Sequence, residues 1–391
     1  MNRYILSVLS LGHLSVDIGA GALPALLPFL QREFHFSYFS LAALVMTAGI
    51  TSSIMQPIFG FAADSLRTRV LLPIGVLLGL GGYAAVGMAS TYALVVVIVA
   101  AAGIGSAMYH PEATKSARTV SGHLPATGNA YFAVGGNIGV ALGPIIITLL
   151  IAWRGLPATV VLFVPALVIA AIVATVVPAV TQAHEEHHAS AKSAAHDDSG
   201  VSVIALLVTM TSLRSAVYSG VLTFVPLYAV NVLHQPFNHN GLLLSVFLAT
   251  GAAANLVAGS LADRFGIKRT MSLSLGLAPF ALALYVLSSG LLAWIGLAVA
   301  GAMLIGTFST SVVLGMEYMP HRLALASALL IGLSTGLGGL IVAALGQVAD
   351  AFGLEPTLWT LVAIAVLAYG LTFALPKAAA TPRLLPKPSV G

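Results

Sequence analysis

Long apolar runs alternate with short polar breaks along this chain, and the runs have the length of a bilayer crossing. A hydrocarbon core some 30 Å thick needs roughly 20 predominantly apolar residues in a helix. Runs of that kind occupy residues 4–30, 38–63, 70–89, 91–114, 124–152 and 155–178. After a polar gap they resume at 201–233, 238–262, 270–288, 291–318, 323–350 and 357–375. The pattern predicts an all-α integral membrane protein with twelve transmembrane helices. The first run begins after a lone Arg3 and continues past Pro28. It exceeds the apolar core of a cleaved signal and is expected to stay as a helix.

Composition agrees with the pattern. Apolar residues make up 59% of the chain and charged ones only 7%, against roughly 45–50% and about 25% in soluble domains. So little charge could not cover a soluble surface. Cysteine is absent, which excludes disulfides, thiolate nucleophiles and cysteine metal sites. The pI of 9.4 comes from an excess of four positive charges with no dense basic patch, so nucleic acid is not an expected partner. Placement of the charges says more. Arg3, Arg67, Arg69, Lys115, Arg118, Lys192, Arg264, Lys268, Arg269, Arg322, Lys377, Arg383 and Lys387 all fall on the N-terminal side of a twelve-span topology. Only Arg32 and Arg154 fall on the other, and Arg214 lies inside a span. The positive-inside rule then puts both termini in the cytoplasm of a bacterial inner membrane.

Residues 179–200, rich in Ala, Ser, His and acids, form the one long polar stretch. Such a composition cannot bury enough surface to fold alone and reads as a flexible linker, its histidines solvated rather than metal-binding. It separates an expected six-helix bundle at 1–178 from a second at 201–391 that ends in a short cytoplasmic tail.

The two bundles carry an internal repeat. Gly60, Asp64, Arg67 and Arg69 follow the second span; Gly259, Asp263, Arg264, Lys268 and Arg269 follow the eighth. Gly60 and Gly259, Asp64 and Asp263, and Arg69 and Lys268 are each 199 residues apart, as are Gly21 and Gly220, and Gly139 and Gly338. One offset across three helix pairs indicates duplication of a six-helix unit. The second loop resembles the signature of major facilitator transporters; the first departs from it at Ser65 and Arg67. An Asp at a helix end can pair with basic residues or a neighbouring helix N-terminus. These residues are therefore expected to form a cytoplasmic gating latch, or else merely to fix turns and topology.

Three further stretches narrow the resemblance: Gly12-His13 to Asp17 with Leu23-Pro24 to Pro28, Gly103 to Ala113 around His110-Pro111-Glu112, and Val134 to Pro144 with Gly135-Gly136-Asn137. With Met316-Glu317 before the eleventh span, they resemble the fosmidomycin-resistance family of drug exporters. Tyr109 stands where Phe is commoner. The resemblance implies a monomeric secondary transporter without cofactor that exports small polar or anionic drugs in exchange for protons.

Ionisable groups inside a span are costly and face a cavity or a partner. The candidates are His13, Asp17, His110, Glu112, Arg214 and Glu317. His13 and Asp17, at i and i+4, share a helix face where imidazole and carboxylate can exchange a proton. His110 and Glu112 point apart on their helix. His13, Asp17 and Glu112 are expected to carry protons, and His110, Asn137 and Arg214 to contact substrate. Arg214 suits a phosphonate or carboxylate, or serves as a fixed counter-ion for Asp17. Glu317, near a helix end, reads as structural. No metal site is expected. An uptake symporter for a small organic anion is the alternative; a membrane enzyme would need a nucleophile–base set that the chain lacks.

Overall fold

The structure, a computed structural model, describes residues 1–65, 70–122, 125–187, 201–237, 239–319 and 328–375. Its helices are α1 Arg3–Phe34, α2 Tyr38–Ser65, α3 Leu71–Ala85, α4 Tyr92–Val120, α5 Pro125–Arg154 and α6 Phe163–His187. Then follow α7 Val201–Asn231, α8 His239–Phe265, α9 Ile267–Leu287 and α10, in two pieces, Leu291–Gly306 and Phe308–Tyr318. A π-helical turn, Ala328–Leu333, leads into α11 Ser334–Phe352, and α12 is Leu354–Ala374. Among the described residues, twelve helices are long and apolar enough to cross a membrane. In hydrocarbon every backbone polar group must be satisfied within the segment, which is why apolar runs of this length become helices.

Local chemistry sets the ends. The Asn2 side chain accepts from Ile5 N–H at the start of α1, and the Thr91 side chain accepts from Leu94 N–H at the start of α4, each satisfying an orphan donor of a first turn. α1 ends where His35 turns left-handed, its N–H returning to the Gln31 carbonyl. One boundary differs from expectation. α6 runs on to His187, nine residues into the stretch read as linker, because Gln, Ala and Glu after Val180 are good helix formers. Residues 188–200 lie outside the described ones.

Packing repeats in steps of six. α1 packs on α5 as α7 does on α11, α2 on α4 as α8 on α10, and α3 on α4 as α9 on α10. Between the halves α2 meets α11 and α5 meets α8, and the step of six exchanges these two contacts. The 199-residue offset is thus a two-fold relation in space. Repeat-related glycines sit at matching crossings. A Cβ on Gly139 would overlap the Leu14 carbonyl of α1, and one on Gly338 would lie 2.8 Å from the Ala216 nitrogen of α7.

The halves close on each other at the end opposite the N-terminus. Asp350 accepts from the N–H groups of Tyr38 and Phe39 at 2.7 and 3.0 Å. The Asn231 amide donates to Gln31 Oε1 at 2.6 Å and to the Tyr38 hydroxyl at 3.2 Å. Arg32 lies 4.4 Å over the ring of Phe237. Among the described residues, every side-chain hydrogen bond between the halves lies in this layer.

Candidate functional site

Midway along α1 the expected pair forms. His13 Nε2 is 3.3 Å from Asp17 Oδ2. A third side chain joins from α4, with His110 Nε2 3.2 Å from Asp17 Oδ1. Both rings are anchored on their other nitrogen. His13 Nδ1 bonds the Phe132 carbonyl of α5 at 3.1 Å, and His110 Nδ1 bonds the Ser106 carbonyl at 2.8 Å with the Ser106 hydroxyl 3.1 Å away. Phe132 stacks on His13 with ring centroids 4.3 Å apart, and His110 meets His13 edge-on at 5.0 Å. The imidazoles are thereby fixed in position and orientation. The ligand-capable atoms of the three side chains lie within 4.8 Å of one another, close enough to share one small cation. Hydrogens alone satisfy both contacts, and no metal is assigned.

Backbone proximity makes the cluster possible. A Cβ on Gly136 of α5 would stand 2.7 Å from Asp17 Oδ2 and overlap the His13 ring. Gly12 leaves room for the Tyr109 hydroxyl, which donates to the Leu9 carbonyl. Here Tyr109 departs from the commoner Phe, and its buried hydroxyl has the partner that burial demands.

Asp17 and His110 form part of the wall of a cavity of about 460 Å³ between the halves, together with Gln56, Asn137, Arg214, Tyr218, Asn255 and Phe308. Arg214 enters it from midway along α7. Its Nη1 donates to the Leu304 carbonyl at 2.9 Å, and its guanidinium lies 5.2 Å from the Phe308 ring centroid. Nε has no partner. Among the described residues Arg214 forms no ion pair with Asp17 here, and its partner is the Leu304 carbonyl. α10 breaks at Thr307, so carbonyls of its last turn lack helical partners, and Leu304 offers one to Arg214. The cation keeps donors for a guest.

The structure thus brings His13, Asp17, His110, Asn137 and Arg214 together and leaves Glu112 apart. Glu112 is 1% exposed, accepts from the Ser116 hydroxyl at 3.3 Å and is absent from the cavity wall. The α4 helix stays continuous through Pro111, so residues two apart keep their opposed directions. Of the expected gating residues, Lys268 donates to the Leu375 carbonyl at the end of α12 and Arg264 is exposed. Gly60, Asp64, Arg67, Arg69, Gly259 and Asp263 lie outside the described side chains, as does Glu317. Sequence reasoning passed over Gln56, Tyr218, Asn255 and Phe308. Tyr218 was signalled by its place four residues after Arg214, and Asn255 by being a lone amide in an apolar run.

Twelve membrane helices with two-fold packing and a polar cavity where the halves meet define a membrane transporter. The chain matches the Major Facilitator Superfamily over residues 9–343, and it belongs to that superfamily. It is 30% identical to the Fosmidomycin resistance protein of Escherichia coli over 362 residues, covering 90% of this chain and 87% of that one. It is also 30% identical to an uncharacterized MFS-type transporter, YfnC, of Bacillus subtilis over 382 residues, covering 95% and 92%. Among solved structures, the nucleoside transporter NupG superposes with a TM-score of 0.76 at 15% identity, covering 96% of this chain and 99% of that one. The inward-open xylose transporter XylE of E. coli does so at 0.71 and 16%, covering 97% of each. These likenesses carry the fold.

Proposed function

We propose that this protein is a proton-driven antiporter of the bacterial inner membrane that exports small polar or anionic compounds such as fosmidomycin. In this reading it works as a monomer, two six-helix bundles joined by the 179–200 segment rock about the cavity, and both termini are cytoplasmic. The sealed layer then faces the periplasm. One observation carries the reading: Asp17, held by two imidazoles, and Arg214, held by a backbone carbonyl, line one cavity on opposite halves.

Coupling follows from competition. A guest anion docks on the free donors of Arg214, as guanidinium geometry favours. A hydroxyl or N–H elsewhere on the guest donates to Asp17 and excludes the proton there. Protons arriving from the periplasm displace that donor, so protons and guest take turns. Moving one charge across the membrane yields roughly 2.3 kcal/mol per 100 mV, above the cost of about 1.4 kcal/mol for a tenfold gradient.

A second reading has its own support. A guest that carries only negative charge favours a protonated cluster, because the added charge of each proton attracts it. Such a guest travels with protons, which is symport.

The test measures fosmidomycin binding against pH and pH-gradient-driven transport in proteoliposomes, beside equilibrium exchange. Antiport requires affinity to fall as pH falls, and symport requires it to rise. Asp17→Asn is expected to abolish uphill transport while keeping binding and exchange. Uphill transport by Asp17→Asn at wild-type rate would remove Asp17 from coupling.

A further inference from the structure

The anchoring of His13 and His110 fixes how many protons the cluster holds. Each Nδ1 faces a backbone carbonyl, Phe132 for His13 and Ser106 for His110. A carbonyl only accepts, so each Nδ1 carries the hydrogen, and the Ser106 hydroxyl, the longer of the two contacts to His110 Nδ1 at 3.1 Å against 2.8 Å, accepts beside the carbonyl. In a neutral ring Nε2 is then a bare lone pair. Both Nε2 atoms nevertheless face oxygens of the Asp17 carboxylate, at 3.3 and 3.2 Å. A lone pair against a carboxylate oxygen repels, so each contact needs a hydrogen of its own.

The count does not depend on where the hydrogens rest. Both rings can be imidazolium beside an ionised Asp17. Alternatively one ring is imidazolium and the acid form of Asp17 donates to the other. Either arrangement holds two transferable protons.

We propose that His13, Asp17 and His110 form a two-proton site, in which His110 serves as a proton carrier rather than a contact for substrate. The proposal rests on the proton-coupled reading for its role in transport, though not for the count itself. Loading takes the cluster from a net charge of −1 to +1.

Among the described side chains no further carboxylate or imidazole lines the cavity beside Asp17. Tyr83 of α3, Tyr109 of α4, and Tyr218 and Arg214 of α7 are the other ionisable side chains around it. The Tyr109 hydroxyl is committed to the Leu9 carbonyl, and Arg214 to that of Leu304. Glu112 is not on the cavity wall. Among the described side chains, the polar ones that α2, α5 and α8 bring to this cavity are the amides Gln56, Asn137 and Asn255, which do not titrate. The described side chains of α6 include no titratable group.

The experiment is histidine-¹⁵N NMR of the purified full chain in detergent, with the two rings assigned through His13→Gln and His110→Gln. Long-range nitrogen–proton correlations report tautomer and charge at each ring. Between pH 4 and 10 both rings are expected to pass from imidazolium to the neutral Nδ1–H form, and Asp17→Asn is expected to alter the titration of both. A neutral Nε2–H tautomer at either ring, or a change of charge at only one, would overturn the count. Reversal potentials in proteoliposomes, with the probe used above, supply the second readout. Two protons per substrate are expected for wild type and one for either glutamine variant; a wild-type ratio of one overturns the proposal. Two titrating rings with no proton flux would keep the two-proton site and discard the coupling reading alone.

Discussion

The Asp350 carboxylate caps the first turn of α2 across the boundary between the halves, 2.7 Å from the Tyr38 nitrogen. A carboxylate at a helix N-terminus is favoured by the dipole and by the orphan N–H groups there. Hydrogen bonds to a charged group contribute about 1.5–3 kcal/mol each. Asp350→Ala is therefore expected to shift the population towards states open at this end by tenfold or more. The chain has no cysteine, so a single Ser219→Cys, beyond the seal in a second cavity wall, reports the opening. Labelling by a membrane-impermeant maleimide added from outside should rise at least tenfold in the double variant. Equal labelling would mean that the cap stabilises α2 without holding the halves together.

Gly136 tests the cluster without replacing its ionisable groups. A methyl there meets the His13 ring and Asp17 Oδ2, and overpacking of this kind costs about 1–3 kcal/mol. Gly136→Ala is expected to cut uphill transport more than tenfold. Gly370→Ala, with open space around its Cβ, should transport normally and melt slightly higher, since Ala is favoured over Gly in a helix by roughly 0.5–1 kcal/mol. Transport rates and thermal unfolding of the two variants are compared side by side. Normal coupling in Gly136→Ala would show that the cluster tolerates displacement.

Arg214 separates recognition from coupling. Lysine preserves charge but loses the fork that holds the Leu304 carbonyl while offering other donors to a guest. Arg214→Lys is expected to raise KM for an anionic probe about tenfold, or about 1.4 kcal/mol, and Arg214→Gln to raise it further. The pH dependence of transport should keep its shape in Arg214→Lys. An unchanged KM in both variants would assign Arg214 to holding α7 against α10.

Glu112→Gln addresses the carboxylate that lies off the cavity. It is expected to keep uphill transport within about twofold of wild type, with any loss showing as stability, on the order of 1–2 kcal/mol for an altered buried hydrogen bond. Proton-driven uphill transport and melting temperature are the two measurements. Loss of coupling at normal stability would restore Glu112 to the proton path.

Much of the architecture was legible because apolar length and charge placement are one-dimensional signals. Observed spans start within seven residues of the expected ones, and the His13–Asp17 pair follows from helical spacing alone. His110 was legible as a membrane histidine but not as a partner of Asp17, since that contact depends on how α1 crosses α4. The partner that Arg214 takes here was not legible, because the sequence offers only side chains for counting. Its acceptor is a carbonyl freed by the break at Thr307, which no side-chain inventory contains. The role of Asp350 was hidden for the same reason, its partners being backbone N–H groups 311 and 312 positions away.

The glycine ladder of α5 has a consequence for how the machine turns over. Gly135, Gly139 and Gly143 lie against the carbonyls of Ser10, Leu14 and Ile18, with no room for a Cβ at any rung. Each step of four residues on one helix answers a step of four on the other, so the two mesh like a rack and cannot slide without first separating. His13 hangs from one rail, and the Phe132 carbonyl that orients it belongs to the other. In the rocking cycle proposed above, α1 and α5 carry His13 and Asp17 between them as rigid cargo. Such a cycle works as a valve that changes which side's water reaches the pair, rather than as a lever that remakes it at every stroke.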